Sequence, residues 1–318
     1  MAPAHGVNRR FLPMLLLLSL IWGSSFMFIK VADRELDPAT LILGRIALAA
    51  LALALYVGLS LGARSTLGEL RAHWRPLVVV GLLNTAIPFW LLSWGETRID
   101  SGLASIIQAS VPIFTVLLAF AFFHDQRVTG SRLVGVVVGF VGVALLVGEQ
   151  PGGKILGALA VVAMAACYAA GGLLIRARLA AVRPPVVALG TSAVAAVAVL
   201  PAGVARAPGH VPGWGTIASV VVLGILGTAV AYILFFTIIA GAGAAYGSFV
   251  TYLVPPVALA YGAIFLGEGV GGAAIGGLVL ILGGVALGTG LSRRAARASS
   301  PSPAPAEPSF ASGPAEPT

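Results

Sequence analysis

The chain has 318 residues, 58% hydrophobic and 9% charged, with a mean hydropathy of +1.01. Soluble domains carry about 25% charged residues, so a water-covered surface of this size is excluded and a polytopic membrane protein is indicated. A formal charge of +8 would suggest a nucleic-acid partner in a soluble chain, but in a membrane protein it is first a matter of topology.

Apolar stretches of about 20 residues alternate with short polar breaks. They predict an all-α membrane protein with ten spans, near residues 11–32, 38–61, 76–92, 101–123, 129–147, 155–175, 185–204, 217–239, 244–266 and 271–291. The first span follows Arg9 and Arg10, as a signal peptide would. Its apolar run continues to Ala32 without a clean small-x-small cleavage site, so it reads as a retained helix. Residues 1–10 form a short cytoplasmic tail. From Ser292 the chain is rich in Ser, Pro and Ala, and residues 292–318 read as a disordered cytoplasmic tail.

With the N-terminus inside, thirteen of the nineteen Lys and Arg face the cytoplasm and five face outward, while Arg45 lies within a span. That bias predicts both termini in the cytoplasm, and the short loops without transit-peptide features suit a bacterial inner membrane. One cysteine, Cys167, excludes an intramolecular disulfide, and four scattered histidines suggest no metal cluster. No cofactor is expected.

The sequence also contains itself twice. Residues 78–86 (VVVGLLNTA) match 221–229 (VVLGILGTA) at six of nine positions, 143 residues apart. The same offset pairs Ser105 with Ser248, Pro112 with Pro255, and Asp125 with Glu268. An offset of 146 pairs Trp22 with Tyr168. The reading is two five-span repeats, 11–149 and 150–291. An odd span count inserts the second copy upside down, which is a recurrent transporter architecture.

Certain motifs carry a family resemblance. They are Leu20-Ile21-Trp22-Gly23-Ser24-Ser25-Phe26, Gly44-Arg45, Ala104-Ser105-Ile106-Ile107 with Val111-Pro112-Ile113-Phe114-Thr115, and Leu266-Gly267-Glu268. On these the chain resembles the ten-helix EamA-type branch of the drug/metabolite transporter superfamily, over residues 11–291. The resemblance implies a secondary transporter and an exporter. One departure is His124-Asp125-Gln126, where the family has Gly-Glu; Asp125 keeps the acid.

Candidate site residues are polar or aromatic groups inside spans. Ser101, Ser105, Gln108 and Pro112 share one face of span four, and Ser248, Thr251, Tyr252 and Pro255 repeat the arrangement in span nine. These faces either line a pathway between kinked helices or bond to their own helix and set packing. Asn84 in span three, Thr228 and Tyr232 in span eight, and the repeat-related Trp22 and Tyr168, which either stack on substrate or fill space, join Ser105, Gln108, Ser248, Thr251 and Tyr252 as the substrate-binding set. Pro112 and Pro255 are gating or structural. Arg45 is an intramembrane charge and so either a gating or substrate contact, or a structural anchor. Asp125 and Glu268 end spans four and nine, as gates or interfacial caps, and Glu96 is expected to cap span three. Mid-span carboxylates are missing, so the usual buried-acid proton relay has no obvious seat. A single Arg is a thin charge for sugar phosphates. The expected partners are the lipid bilayer and a small neutral or zwitterionic substrate, handled by alternating access in a monomer or homodimer. A channel, a membrane sensor or, less well supported, a membrane enzyme are the alternatives.

Overall fold

A computed structural model describes residues 10–122, 130–150 and 154–288, and every regular element among them is helical. His124, Asp125, residues 1–9 and the tail from Ser292 lie outside the described residues.

The first half opens with α1 (Leu12–Ala32) and α2 (Pro38–Leu61). Asp37 starts α2: its Oδ1 accepts the Ala39 N–H at 2.8 Å, and Pro38 takes the first helical position, where no amide hydrogen is needed. A short, largely exposed helix, α3 (Ala63–Ala72), follows where hydropathy suggested only a loop. Next, α4 (Trp74–Gly81) runs through a π-helical turn (Leu82–Ala86) into α5 (Ile87–Glu96). Span four is two pieces, α6 (Ser101–Gln108) and α7 (Val111–Phe122), separated by a turn at Ala109 and Ser110; α8 (Ser131–Gly148) ends the half.

The second half has α9 (Lys154–Arg178) and α10 (Pro184–Ala205). Then α11 (Trp214–Gly224) passes through a second π-helical turn (Ile225–Val230) into α12 (Ala231–Ala242). It closes with α13 (Ala244–Gly247), α14 (Val250–Leu266) and α15 (Gly272–Gly288). The two π turns lie 143 residues apart, on the nine-residue match found in the sequence. Each admits one extra residue to the helical ladder, a feature frequent at functional sites.

Among the described residues, seven helical segments are long and apolar enough to cross a bilayer: Leu12–Ala32, Pro38–Leu61, Trp74–Glu96, Ser101–Ala121, Lys154–Arg178, Pro184–Ala205 and Trp214–Ala242. Three apolar helices are shorter, Leu133–Gly148, Val250–Leu266 and Gly272–Leu287. The main packing pairs are α8 with α15, α2 with α10, α1 with α14, and α5 with α9. Glycine permits the closest of these. A Cβ on Gly284 would stand 2.5 Å from the Gly135 carbonyl oxygen and 2.6 Å from the Gly139 nitrogen, so α8 and α15 meet backbone to backbone.

Candidate functional site

Two adjoining cavities lie inside the bundle. One of about 390 Å³ is walled by Trp22, Ser105, Gln108, Thr191, Thr251 and Pro255 with several apolar neighbours. A second of about 200 Å³ is walled by Ser25, Phe26, Arg45, Phe89, Leu92 and Gly227. Five residues border both: Trp22, Asn84, Gln108, Tyr168 and Tyr232. They come from α1, the first π turn, α6, α9 and α12.

The larger cavity lies toward one end of the bundle. Its walls include Ile175 near the close of α9, Val187 and Ala188 near the start of α10, and Val250 opening α14. Residues 179–183 join α9 to α10 at that end. The smaller cavity lies deeper, and Phe26 and Leu92, both nearly fully buried, form its floor.

Aromatic rings make the walls. Trp22 packs on Phe235 with centroids 5.3 Å apart, Tyr168 meets Phe89 edge-on at 6.5 Å, and Tyr232 stacks with Phe236 at 5.9 Å. Polar groups are few. Asn84 is seated over the backbone of Gly171: a Cβ there would stand 2.7 Å from the Asn84 Cβ and 2.8 Å from Oδ1. Glycine at 171 therefore sets how deeply Asn84 can sit. Ser105 donates its hydroxyl to the Gly102 carbonyl at 2.6 Å, and Thr191 donates to Val187 at 2.9 Å, so both bond within their own helices.

Arg45 is 5% exposed and forms part of the deep wall. Its guanidinium lies 4.1 Å from the Phe89 ring centroid, and its Nε–H donates to Thr228 Oγ1 at 3.1 Å. Thr228 in turn donates to the Leu223 carbonyl, five residues back, at 2.9 Å. The second π turn thus aims Thr228 at Arg45. Thr228 itself stands behind the cavity wall, and Pro112 and Tyr252 are also absent from the described cavity walls. Ser248 is exposed, just before α14. Pro255 and Pro256 sit within a continuous α14, whereas the break in span four falls just before Pro112.

A third cavity, of about 450 Å³, opens the other end of the bundle, between Lys30, Asp33, Arg34, Glu96, Asp100 and Glu268. Here Gly267 ends α14 at φ +68°, a left-handed cap that favours glycine, and the Glu268 N–H returns to the Gly262 carbonyl at 3.1 Å. This turn carries the Glu268 carboxylate back over the start of α6. Oε1 accepts the Ser101 N–H at 2.9 Å; Oε2 accepts the Ser101 hydroxyl at 2.7 Å and the Gly102 N–H at 3.2 Å. The Leu266-Gly267-Glu268 motif is therefore a helix cap delivered from a distant helix. Glu35 does the same for α11, accepting from Gly213 N–H at 2.7 Å and Thr216 hydroxyl at 2.8 Å. These two bonds hold its carboxyl below the usual range.

Glu96 departs from expectation. It is fully buried, and among the described residues neither carboxylate oxygen has a hydrogen-bond partner, so it caps no described helix. Beside it Asp33 accepts the Ser93 hydroxyl at 2.8 Å on one oxygen while the other is buried and unpartnered. Burial pushes the Asp33 carboxyl up to about 7, against the Ser93 bond and the Lys30 ammonium. Sequence reading missed this group because its members end different segments, 30–33 and 96–100, and nothing in the chain pairs them.

The EamA-like transporter family matches the chain twice, at residues 10–148 and 155–289. A protein of Streptantibioticus cattleyicolor named a probable terminal-alkyne amino-acid exporter is 32% identical over 266 residues, which is 80% of this chain and 84% of that one. Protein PecM of Dickeya dadantii is 28% identical over 274 residues, 82% of this chain and 86% of its own. A crystal structure at 20% identity shares the fold, with a TM-score of 0.62, covering 90% of this chain and 99% of the other. Apolar helices, adjoining internal cavities and a family match over both halves lead to one assignment: this multi-pass membrane protein belongs to the EamA-like transporter family.

Proposed function

We propose that the chain exports small neutral or zwitterionic metabolites, amino acids or similar, by alternating access. The observation that carries this is the set of five residues bordering both inner cavities, drawn from both halves of the chain. About 390 Å³ falls within the ~300–1,000 Å³ usual for small-molecule sites. Aromatic faces suit an apolar side chain, while Asn84 and Gln108 offer both donors and acceptors to neutral polar groups. Arg45 supplies one positive charge, already engaged by Phe89 and Thr228, and this suits one carboxylate better than a phosphate cluster. The relative named as a probable amino-acid exporter agrees with that class.

We read the seven long and three shorter apolar helices as ten spans, forming two inverted repeats with both termini cytoplasmic. Packing supports a twofold relation. Exchanging each span with its counterpart five later turns the α1–α14 contact into α9 with α6 and α7, and the α1–α11 contact into α9 with α4 and α5; all of these pack. The α2–α10 and α8–α15 pairs map onto themselves. On this topology the larger cavity faces the cytoplasm and the Phe26–Leu92 floor closes the outward side.

Counterflow in proteoliposomes across a panel of radiolabelled amino acids tests the reading. Trans-stimulated uptake of at least one is expected, reduced about tenfold or more by Asn84→Leu or Gln108→Leu at unchanged protein levels. Single-channel currents without counterflow would favour a channel, and full activity in both variants would remove these residues from the site.

A further inference from the structure

The cavity at the 97–100 end holds an arrangement that the substrate site does not use. Glu96, at the last turn of α5, is 0% exposed and borders this cavity, and both its oxygens lack hydrogen-bond partners. Lys30, one turn from the close of α1, acts on it through its charge but forms no ion pair with it among the described residues. Its ammonium donates instead to two backbone carbonyls, of Glu96 and, at 2.8 Å, of Ile99. Among the described residues no ion pair reaches Glu96 within 4.0 Å; the pairs present are Arg183–Glu69 and Arg206–Asp37. The charges acting on Glu96 are Lys30 from α1, Asp33 just after it, Arg45 from α2 and Glu268 from beyond α14. From α9, Gly157 and Val161 pack on the neighbouring Gly95. Arg34 and Asp100 complete the charged wall of the cavity.

An ionised carboxylate buried without partners costs many kcal/mol, whereas a neutral acid in the same place costs far less. We propose that Glu96 is a proton-binding site that locks this end of the transporter: a carboxylate oxygen takes a proton from the aqueous phase on the 97–100 side, and the proton returns there when that end opens. With the proton bound, α5 can pack against α1 and Lys30 can staple the Glu96 and Ile99 carbonyls at and just beyond the end of α5. Without it, the carboxylate needs water or the Lys30 ammonium, and either requirement pulls the turn apart. Asp33, with its own unpartnered buried oxygen, is the neighbour through which the proton passes to and from the cavity. The site thus provides a seat for proton linkage outside the middle of the spans, where the sequence offers none.

Opening of this end rests on the transport reading above; proton occupancy does not, and the test separates them. Infrared difference titration of the full chain in lipid nanodiscs reads occupancy. A protonated carboxyl component at pH 7, distinct from that of Asp33 (which Asp33→Asn removes) and lost in Glu96→Gln, is the expected result; a spectrum that Glu96→Gln leaves unchanged overturns the site. Asp33→Asn, a second variant, should leave the Glu96 band in place and slow its proton exchange with solvent; unchanged exchange overturns the Asp33 route. For opening, Ile99→Cys in a Cys167→Ala background is labelled with a soluble maleimide. The labelling rate relative to the same chain carrying Glu96→Gln should rise about tenfold from pH 6 to pH 9, as one proton is lost. A ratio flat in pH overturns the coupling, even where the infrared band confirms the proton.

Discussion

Gly262→Ala is the sharpest test of how the two halves are latched. A Cβ at 262 would stand 2.4 Å from Glu268 Oε2 and 3.0 Å from the Ser101 hydroxyl oxygen. The carboxylate must withdraw by about 0.6 Å merely to reach 3.0 Å, still a tight contact for a Cβ. Oε2 accepts two of the three bonds that cap α6, from the Ser101 hydroxyl at 2.7 Å and the Gly102 N–H at 3.2 Å. Moving it lengthens both, while the Oε1 bond to the Ser101 N–H at 2.9 Å can follow the shift. Charge-assisted hydrogen bonds contribute about 1.5–3 kcal/mol each, so weakening two should cost about 2–3 kcal/mol. Denaturant unfolding of the purified protein in mild detergent measures this, within a double-mutant cycle with Glu268→Ala. Once Glu268 is absent the added methyl has no carboxylate to displace, so the double variant should match Glu268→Ala, a coupling of about 2 kcal/mol. Additive losses would refute the reasoning, because the methyl would then act through packing alone.

Other substitutions probe the site and its supports. Gly171→Ala should push Asn84 out of its seat and raise the half-saturation of counterflow about tenfold at unchanged expression; unaltered kinetics would detach Asn84 from the substrate. Thr228→Val removes the acceptor of the Arg45 Nε–H and should lower unfolding free energy by about 1.5–3 kcal/mol, while Thr228→Ser should restore most of it. Asp33 binds its proton more tightly when folded, up to about 7 against an ordinary 3.8, so the folded state holds more protons between these values. Its contribution to stability therefore falls as pH rises from about 4 to 7, and melting curves of Asp33→Asn should lack that slope. Glu35 acts with the opposite sign: its support of α11 is full above the ordinary 4.5 and is lost as pH falls further, a loss that Glu35→Gln should abolish.

The apolar helices were legible because lipid imposes length and apolarity on a span, and residues 78–86 and 221–229 could be matched because they keep their order, one within each of the two family matches. What those residues do locally was not. Both lie on π turns, and a π turn depends on an added residue that hydropathy does not register. Trp22, Asn84, Ser105, Gln108, Tyr168, Tyr232, Thr251 and Pro255 were singled out by type and spacing, and the structure brings them to one cavity. Thr228 has a different part, since its partner Arg45 is 183 residues away and only packing joins them. Cavity-lining Phe235, Phe236 and Val187 read in sequence like any lipid-facing residue. Glu96 looked interfacial because it ends a segment, and Asp33 was passed over; their burial by other segments is a property of the assembled bundle.

One pattern at the bundle ends bears on alternating access. At the 97–100 end, Glu268 of the second half caps α6 of the first, while Glu35 of the first half caps α11 of the second. Arg206 and Asp37 pair across the same boundary at 3.4 Å. At the 179–183 end, Arg183 of the second half meets Glu69 of the first at 2.6 Å, and also bonds Ser65 at 2.7 Å. Each end is therefore held by polar contacts that cross between halves. Exposed ion pairs contribute only about 0–1 kcal/mol, because water replaces them readily. The Arg183–Glu69 contact is partly exposed and can break at little cost. The Glu268 cap rests on Ser101, which is fully buried, and comprises three charge-assisted bonds that must part together. Under the proposed alternating access, opening at the 97–100 end is the costlier motion, and the proton proposed to leave Glu96, which borders the same cavity as Glu268, would offset that cost.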